Sequence, residues 1–178
     1  MPLLRDNDIV CISKHLCGSG ADFSLRAIVK AYRQRIARSR RRQGDGDGEM
    51  PLFHGCGDVV GVFLATCCHH RCEYQHFVGR PQLHRLGFSI EEFGIIRRLS
   101  SWATSGDAVD DSSREIGRSC KRFLDVLRVL YLRENGFDTQ LTPYVEACVT
   151  PENVLIEAVP RSPAERHGDG DDDDIPIR

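Results

Sequence analysis

Two apolar runs, each ending abruptly in reactive side chains, constrain this chain more than any other feature. Ile9-Val10-Cys11-Ile12 leads into Ser13-Lys14-His15-Leu16-Cys17-Gly18, and Val59-Val60-Gly61-Val62-Phe63-Leu64-Ala65 leads into Thr66-Cys67-Cys68-His69-His70-Arg71-Cys72. Continuous runs rich in Val and Ile suit strands covered on both faces, as in a parallel sheet. Such sheets bind ligands outside the carboxyl ends of their strands. Lys14, His15, Cys67, Cys68, His69 and His70 therefore fall where an α/β protein would carry its chemistry.

Between and beyond the runs the pattern changes to helical spacing. Asp22 or Ser24 can cap a helix over about residues 22 to 36, with Leu25, Ile28, Val29 and Tyr32 on one face. Residues 37–57, with their Arg and Gly-Asp stretches, lose all periodicity and are expected to be a disordered surface insertion. Pro81 to Gly87 reads as a short helix closed by glycine, and Ser-Ile-Glu-Glu from Ser89 opens another through Ile95, Ile96 and Leu99. Gly106 to Ser113 reads as a loop. The longest helix is expected from about Arg114 to Asn135, closed by Gly136. Two strands, about Phe137 to Val145 and Asn153 to Val159, follow with a connection short enough to favour an antiparallel pair. The expected fold is α/β, the second half of a doubly wound sheet ending in an antiparallel pair.

Composition narrows the setting. With 178 residues, 40% of them hydrophobic, the chain has enough material for one domain with a core. The net charge of −2 hides a basic cluster at Arg35, Arg38 and Arg40 to Arg42 and an acidic run at Asp169 and Asp171 to Asp174. Residues 161–178 are expected to be a disordered tail. The eight cysteines lack the spacing of a disulfide framework, which points to reduced thiols and a cytoplasmic or nuclear protein. No stretch approaches the roughly 18 apolar residues of a membrane span, and the start lacks a signal-peptide core, so no membrane partner is expected.

Five motifs in order resemble one family. They are Ser-Lys-His-Leu-Cys-Gly at 13–18 with Asp22 and Leu25-Arg26, Cys-Cys-His-His-Arg-Cys at 67–72, Leu99-Ser100-Ser101-Trp102-Ala103-Thr104, Gly117-Arg118 with Cys120-Lys121, and Glu152-Asn153-Val154-Leu155. Together they resemble the tRNA:m(4)X modification enzymes, eukaryotic methyltransferases acting on a ribose 2′-hydroxyl of the tRNA acceptor stem. The resemblance implies S-adenosyl-L-methionine as cofactor, tRNA as partner and a Rossmann-like methyltransferase sheet over residues 1–160. No strand with a Gly-rich turn precedes residue 8, and the zinc modules found near the family's amino terminus are missing. The chain is therefore expected to be an incomplete, carboxyl-terminal part of the methyltransferase domain, lacking the first cofactor-binding strands. An amino-terminal segment is its expected partner.

Roles follow from that resemblance and from the chemistry. Methyl transfer to a ribose oxygen needs a group to take the hydroxyl proton. Lys14 is the first candidate, because apolar walls and a nearby sulfonium would disfavour its ammonium form. His15 and His69 are fallback bases. Ser13, Cys17, Gly18, Asp22, Cys67 and Cys68 are assigned to the cofactor side of the cleft, although Asp22 reads first as a helix cap. His70, Arg71, Ser101, Trp102, Arg118 and Lys121 are assigned to the acceptor RNA.

Other readings stay open. Trp102 reads more readily as a packing residue than as a base-stacking one. Cys68, Cys72 and His76 are spaced by four and would share a helix face, so they form an alternative zinc set, although no second ligand pair stands elsewhere in the chain. A non-catalytic zinc-binding RNA module and an inactive remnant with an open sheet edge are the competing functional classes.

Overall fold

The computed structural model describes residues 8–44 and 58–162. Its strands are β1 (Ile9–Lys14), β2 (Val59–Ala65), β3 (Phe137–Pro143) and β4 (Val154–Pro160); its helices are α1 (Ser19–Gly44), α2 (Arg80–Arg85), α3 (Ile90–Leu99) and α4 (Asp111–Glu134). Short 3₁₀ segments span His69–Arg71, Ser100–Thr104 and Gly106–Ala108. The four strands form one mixed sheet in the order β1-β2-β4-β3. β1 and β2 run parallel, with Lys14 opposite Ala65, while β4 runs antiparallel to both β2 and β3.

Register decides which residues form the core. Cys11 lies opposite Val62 and Ser13 opposite Leu64, while Val62 and Leu64 face Ala158 and Ile156 across the next pair. That face is covered by α1 through Leu25, Val29 and Tyr32 and by α4 through Val129 and Leu132, with Phe137 closing the far end. A fully buried Leu, Ile or Phe in such a cluster contributes about 1.5–3 kcal/mol. The opposite side of α4 turns Leu124 and Leu127 into a second cluster with Phe77, Leu83 and Phe93, which anchors α2 and α3.

Several boundaries differ from the sequence expectation, each for a local reason. α1 continues to Gly44, because Arg, Gln and Ala propagate a helix without an apolar stripe. Residues 37–44 are thus helical, and the rest of the expected insertion lies outside the described residues, as does the tail from 163. α4 starts at Asp111 rather than near Arg114, since the Asp110 carboxylate accepts from Ser113 N–H at 2.8 Å and caps the helix there. The Ser89–Glu92 capping box that opens α3 is present in both directions. Gly136, at φ +87°, ends α4 as expected.

The expectation of strands covered on both faces fails for β1. Its residues alternate half-buried and exposed, with Val10 50% and Ile12 78% exposed. Val159, on the same face of β4, is also exposed. Among the described residues no helix covers this face, and β1 has a neighbour on one side only.

Candidate functional site at the strand ends

Parallel pairing of β1 and β2 brings their carboxyl ends level, so the two segments that follow start side by side. The loop after β1 turns on two left-handed residues, His15 at φ +64° and Gly18 at φ +57°. His15 is the only non-glycine residue with positive φ among those described. Gly18 must be glycine for a second reason, because a Cβ there would lie 2.4 Å from the Arg71 carbonyl oxygen. Glu73 N–H donates to Ser19 Oγ at 3.0 Å, fastening the start of α1 to the segment after β2. Cys17 and Cys67 thereby meet with their Sγ atoms 3.5 Å apart, and Cys68 Sγ completes a trio within 4.8 Å. All three are free thiols.

Under this trio lies a buried network that sequence reasoning missed. Arg128 of α4 is 1% exposed and donates through Nε and Nη2 to both carboxylate oxygens of Asp22, at 3.1 and 2.9 Å. Its Nη1 donates to Asp125 Oδ1 at 3.0 Å, and Nη2 also reaches Cys72 Sγ at 2.8 Å. Asp125 accepts from Thr66 Oγ1 at 2.8 Å and lies 2.8 Å from His69 Nε2. Burial would raise the Asp125 carboxyl, but His69, Arg128 and Thr66 together bring it down to about 2. One face of α4 presents Lys121, Asp125 and Arg128 in succession, all buried. The signal was present in the sequence, since three charges at i, i+4 and i+7 interleave with Leu124 and Leu127 on a stripe that must be buried.

The network alters several expected roles. His69 is 3% exposed, and its other ring nitrogen, Nδ1, faces the Cys67 carbonyl oxygen. Both ring nitrogens are thus occupied inside the protein. Asp22 is fully buried and does not cap its own helix, because its carboxylate is held by Arg128 and by Val78 N–H at 3.2 Å. It is closed to a ligand. Lys14 is exposed, its Nζ 5.8 Å from the Tyr144 ring centroid, so the apolar walls expected around it are absent among the described residues.

The remaining candidates divide by location. Leu16, Gly18, Thr66, Cys67, Cys68 and His69 line one shallow recess over Arg128, too tight to admit a water-sized molecule. Ser13 is half-buried in the β1 ladder opposite Leu64. His15, His70 and Arg71 are exposed around it. Partial burial and the neighbouring Arg71 lower the basicity of His70. Lys121 Nζ lies 2.8 Å from Glu152 Oε2, an ion pair without hydrogen-bond alignment, and Glu152 in turn acts on Cys68 and His70.

Arg118 pairs with Glu115 on the outer face of α4. Ser101 donates to the Arg98 carbonyl, and Trp102 is half-buried where Gly117 of α4 approaches its backbone; neither lines the recess. The alternative zinc set is not assembled. His69–Arg71 is a single turn, Cys72 is turned inward to Arg128, and His76 pairs with Glu73 and packs on Phe23.

The thiols have unequal environments. Hydrogen bonds from Cys68 and Cys67, with Arg71 nearby, lower the Cys17 thiol, whereas burial pushes Cys67 up to about 12.

A mixed α/β sheet with thiol and imidazole side chains gathered at the ends of two parallel strands defines an α/β protein with a strand-end site. The profile of the family described as Methyltransferase TRM13 matches residues 1–115 and 109–159, and the chain belongs to that family. It is similar to the "tRNA:m(4)X modification enzyme TRM13 homolog" of Mus musculus, 30% identical over 230 residues that cover 94% of this chain and 48% of the mouse protein. The Homo sapiens homolog is 29% identical over 222 residues, covering 90% and 46%. The Saccharomyces cerevisiae "tRNA:m(4)X modification enzyme TRM13" is 29% identical over 187 residues, covering 85% and 36%. The chain thus spans about half or less of the length of these curated relatives. No solved structure matches it.

Proposed function

We propose that this chain is the carboxyl-terminal part of the catalytic domain of a tRNA methyltransferase that uses S-adenosyl-L-methionine and methylates a ribose 2′-hydroxyl in the acceptor stem. The observation that carries the proposal is the level ending of β1 and β2, which brings Lys14–Gly18 and Thr66–Cys72 to one rim. That rim is where doubly wound sheets hold their ligands. Family membership and the names of the relatives support the reading.

The sheet is read as part of a Rossmann-like methyltransferase sheet. Among the described residues its first strand has one unpaired edge and one bare apolar face, carrying Val10 and Ile12, where further strands and helices of a doubly wound domain would pack. The recess is too tight for even a water-sized molecule, whereas clefts that enclose small ligands measure roughly 300–1,000 Å³. The described part of this rim therefore does not enclose the whole cofactor. It supplies one wall of the cofactor's site, and the upstream part of the domain supplies the other.

Within that reading the residues sort by access. Lys14, His15 and His70 stand exposed at the rim, where an acceptor nucleotide would lie, while His69, Asp125, Arg128 and Asp22 hold the rim in place. Arg71 is exposed at the rim for RNA phosphate. A cytoplasmic or nuclear location goes with a tRNA substrate.

The test is a chimera joining the amino-terminal half of the mouse relative to this chain, compared with the chain alone. The chimera is expected to bind S-adenosyl-L-methionine and to place labelled methyl on a tRNA ribose, and the chain alone to do neither. A folded, cofactor-binding chimera that methylates a base, or no RNA at all, would overturn the proposal.

A further inference from the structure

Three thiols from two loops converge on one point. Cys17 follows β1, and Cys67 and Cys68 follow β2, yet their Sγ atoms all lie within 4.8 Å of one another, with Cys17 and Cys67 at 3.5 Å. We propose that Cys17, Cys67 and Cys68 form a binding site for one thiophilic divalent cation of the zinc type, clamping the loop after β1 to the loop after β2.

Geometry favours an ion over a disulfide. Thiolates at about 2.3 Å from a tetrahedral zinc sit about 3.8 Å from each other, close to the spacing found here. A disulfide needs about 2.05 Å between two sulfurs, and would leave the third thiol without a role. The site is also preorganised. Gly18 packs against the Arg71 backbone and Ser19 accepts from Glu73 N–H, so the two loops are already held at the distance an ion requires.

Charge and access fit as well. Three thiolates around a dication carry one net negative charge, and the Arg71 guanidinium acts on Cys17 from the side. Cys67 is buried whereas Cys17 and Cys68 are half-exposed, which leaves a route from solvent. Three protein ligands leave a fourth position for a water or another oxygen ligand, the pattern of open rather than closed zinc sites. This proposal does not rest on the methyl-transfer reading, because it concerns the chain by itself.

Titration of the reduced, metal-free full chain with Co²⁺ tests it. One equivalent is expected to bind, with thiolate-to-cobalt charge-transfer absorption of a three-sulfur site, and to be displaced by Zn²⁺. Peptide mapping after alkylation should then show Cys17, Cys67 and Cys68 protected by Zn²⁺ and exposed Cys148 modified. Cys17→Ser and Cys68→Ser should each weaken binding at least about 10-fold, since even supporting residues of metal sites have effects of that size, whereas Cys148→Ser should not. Protection mapping on the unaltered chain decides the matter if a variant does not fold. Absence of the charge-transfer band, protection of other cysteines, or formation of a Cys17–Cys67 disulfide in place of metal binding would each overturn the proposal.

Discussion

Arg128 is the residue on which the strand-end site turns. Its guanidinium holds two buried carboxylates, one from the first turn of α1 and one from its own helix, so truncating it strands both charges away from water. Arg128→Met is expected to cost about 3–5 kcal/mol in urea unfolding, the penalty for breaking a buried ion pair. Arg128→Lys should recover only part of it, because an ammonium cannot fork onto Asp22. Acid tests the same network through Asp125. Its carboxyl sits at about 2 in the fold against an ordinary 3.8, so its contribution is fully present above 3.8 and is lost as pH falls from there toward 2. The loss should be about 2 kcal/mol. Asp125→Asn should flatten that part of the pH–stability curve, and an unchanged slope would show that Asp125 does not carry it.

At the scale of elements, two helical glycines should respond in opposite directions to alanine. A Cβ on Gly117 of α4 would lie 2.3 Å from the Ala103 backbone nitrogen, against the turn that carries Trp102. The helix gains about 1 kcal/mol from alanine, but forcing apart packed backbone costs about 1–3 kcal/mol, so Gly117→Ala should destabilise. Gly94 of α3 has nothing within 4 Å of its would-be Cβ. Gly94→Ala should stabilise by up to about 1 kcal/mol. Thermal denaturation of the two variants beside the parent chain checks both signs.

At the scale of the molecule, the face and edge of β1 that are bare among the described residues are the dominant liability. Val10 and Ile12 project apolar surface beside unpaired strand amides, an arrangement that promotes pairing with another chain. The chain alone is expected to self-associate with rising concentration in sedimentation. Val10→Thr with Ile12→Lys should shift it toward a single species while changing unfolding stability by no more than about 0.5 kcal/mol, as for surface positions generally. In the chimera with the mouse amino-terminal half, the same pair should instead weaken assembly, because that face would then be covered.

Much of this was readable from residues alone. Apolar runs marked β1 and β2, Ser89 and Glu92 announced the start of α3, Gly136 the end of α4, and the short link through Pro151 the antiparallel pair, because each of these rests on local geometry. The placing of the two reactive segments on one side of the sheet was also legible, since parallel strands point their carboxyl ends the same way, whereas the level ending came from the register. What only the tertiary structure decided was which side chains are spent internally. Asp22 and His69 read as candidates for cap, ligand or base until Arg128 and Asp125, more than fifty residues away, were seen to occupy them. Periodicity reports burial along one element, whereas the partner of a buried charge is set by how separate elements pack.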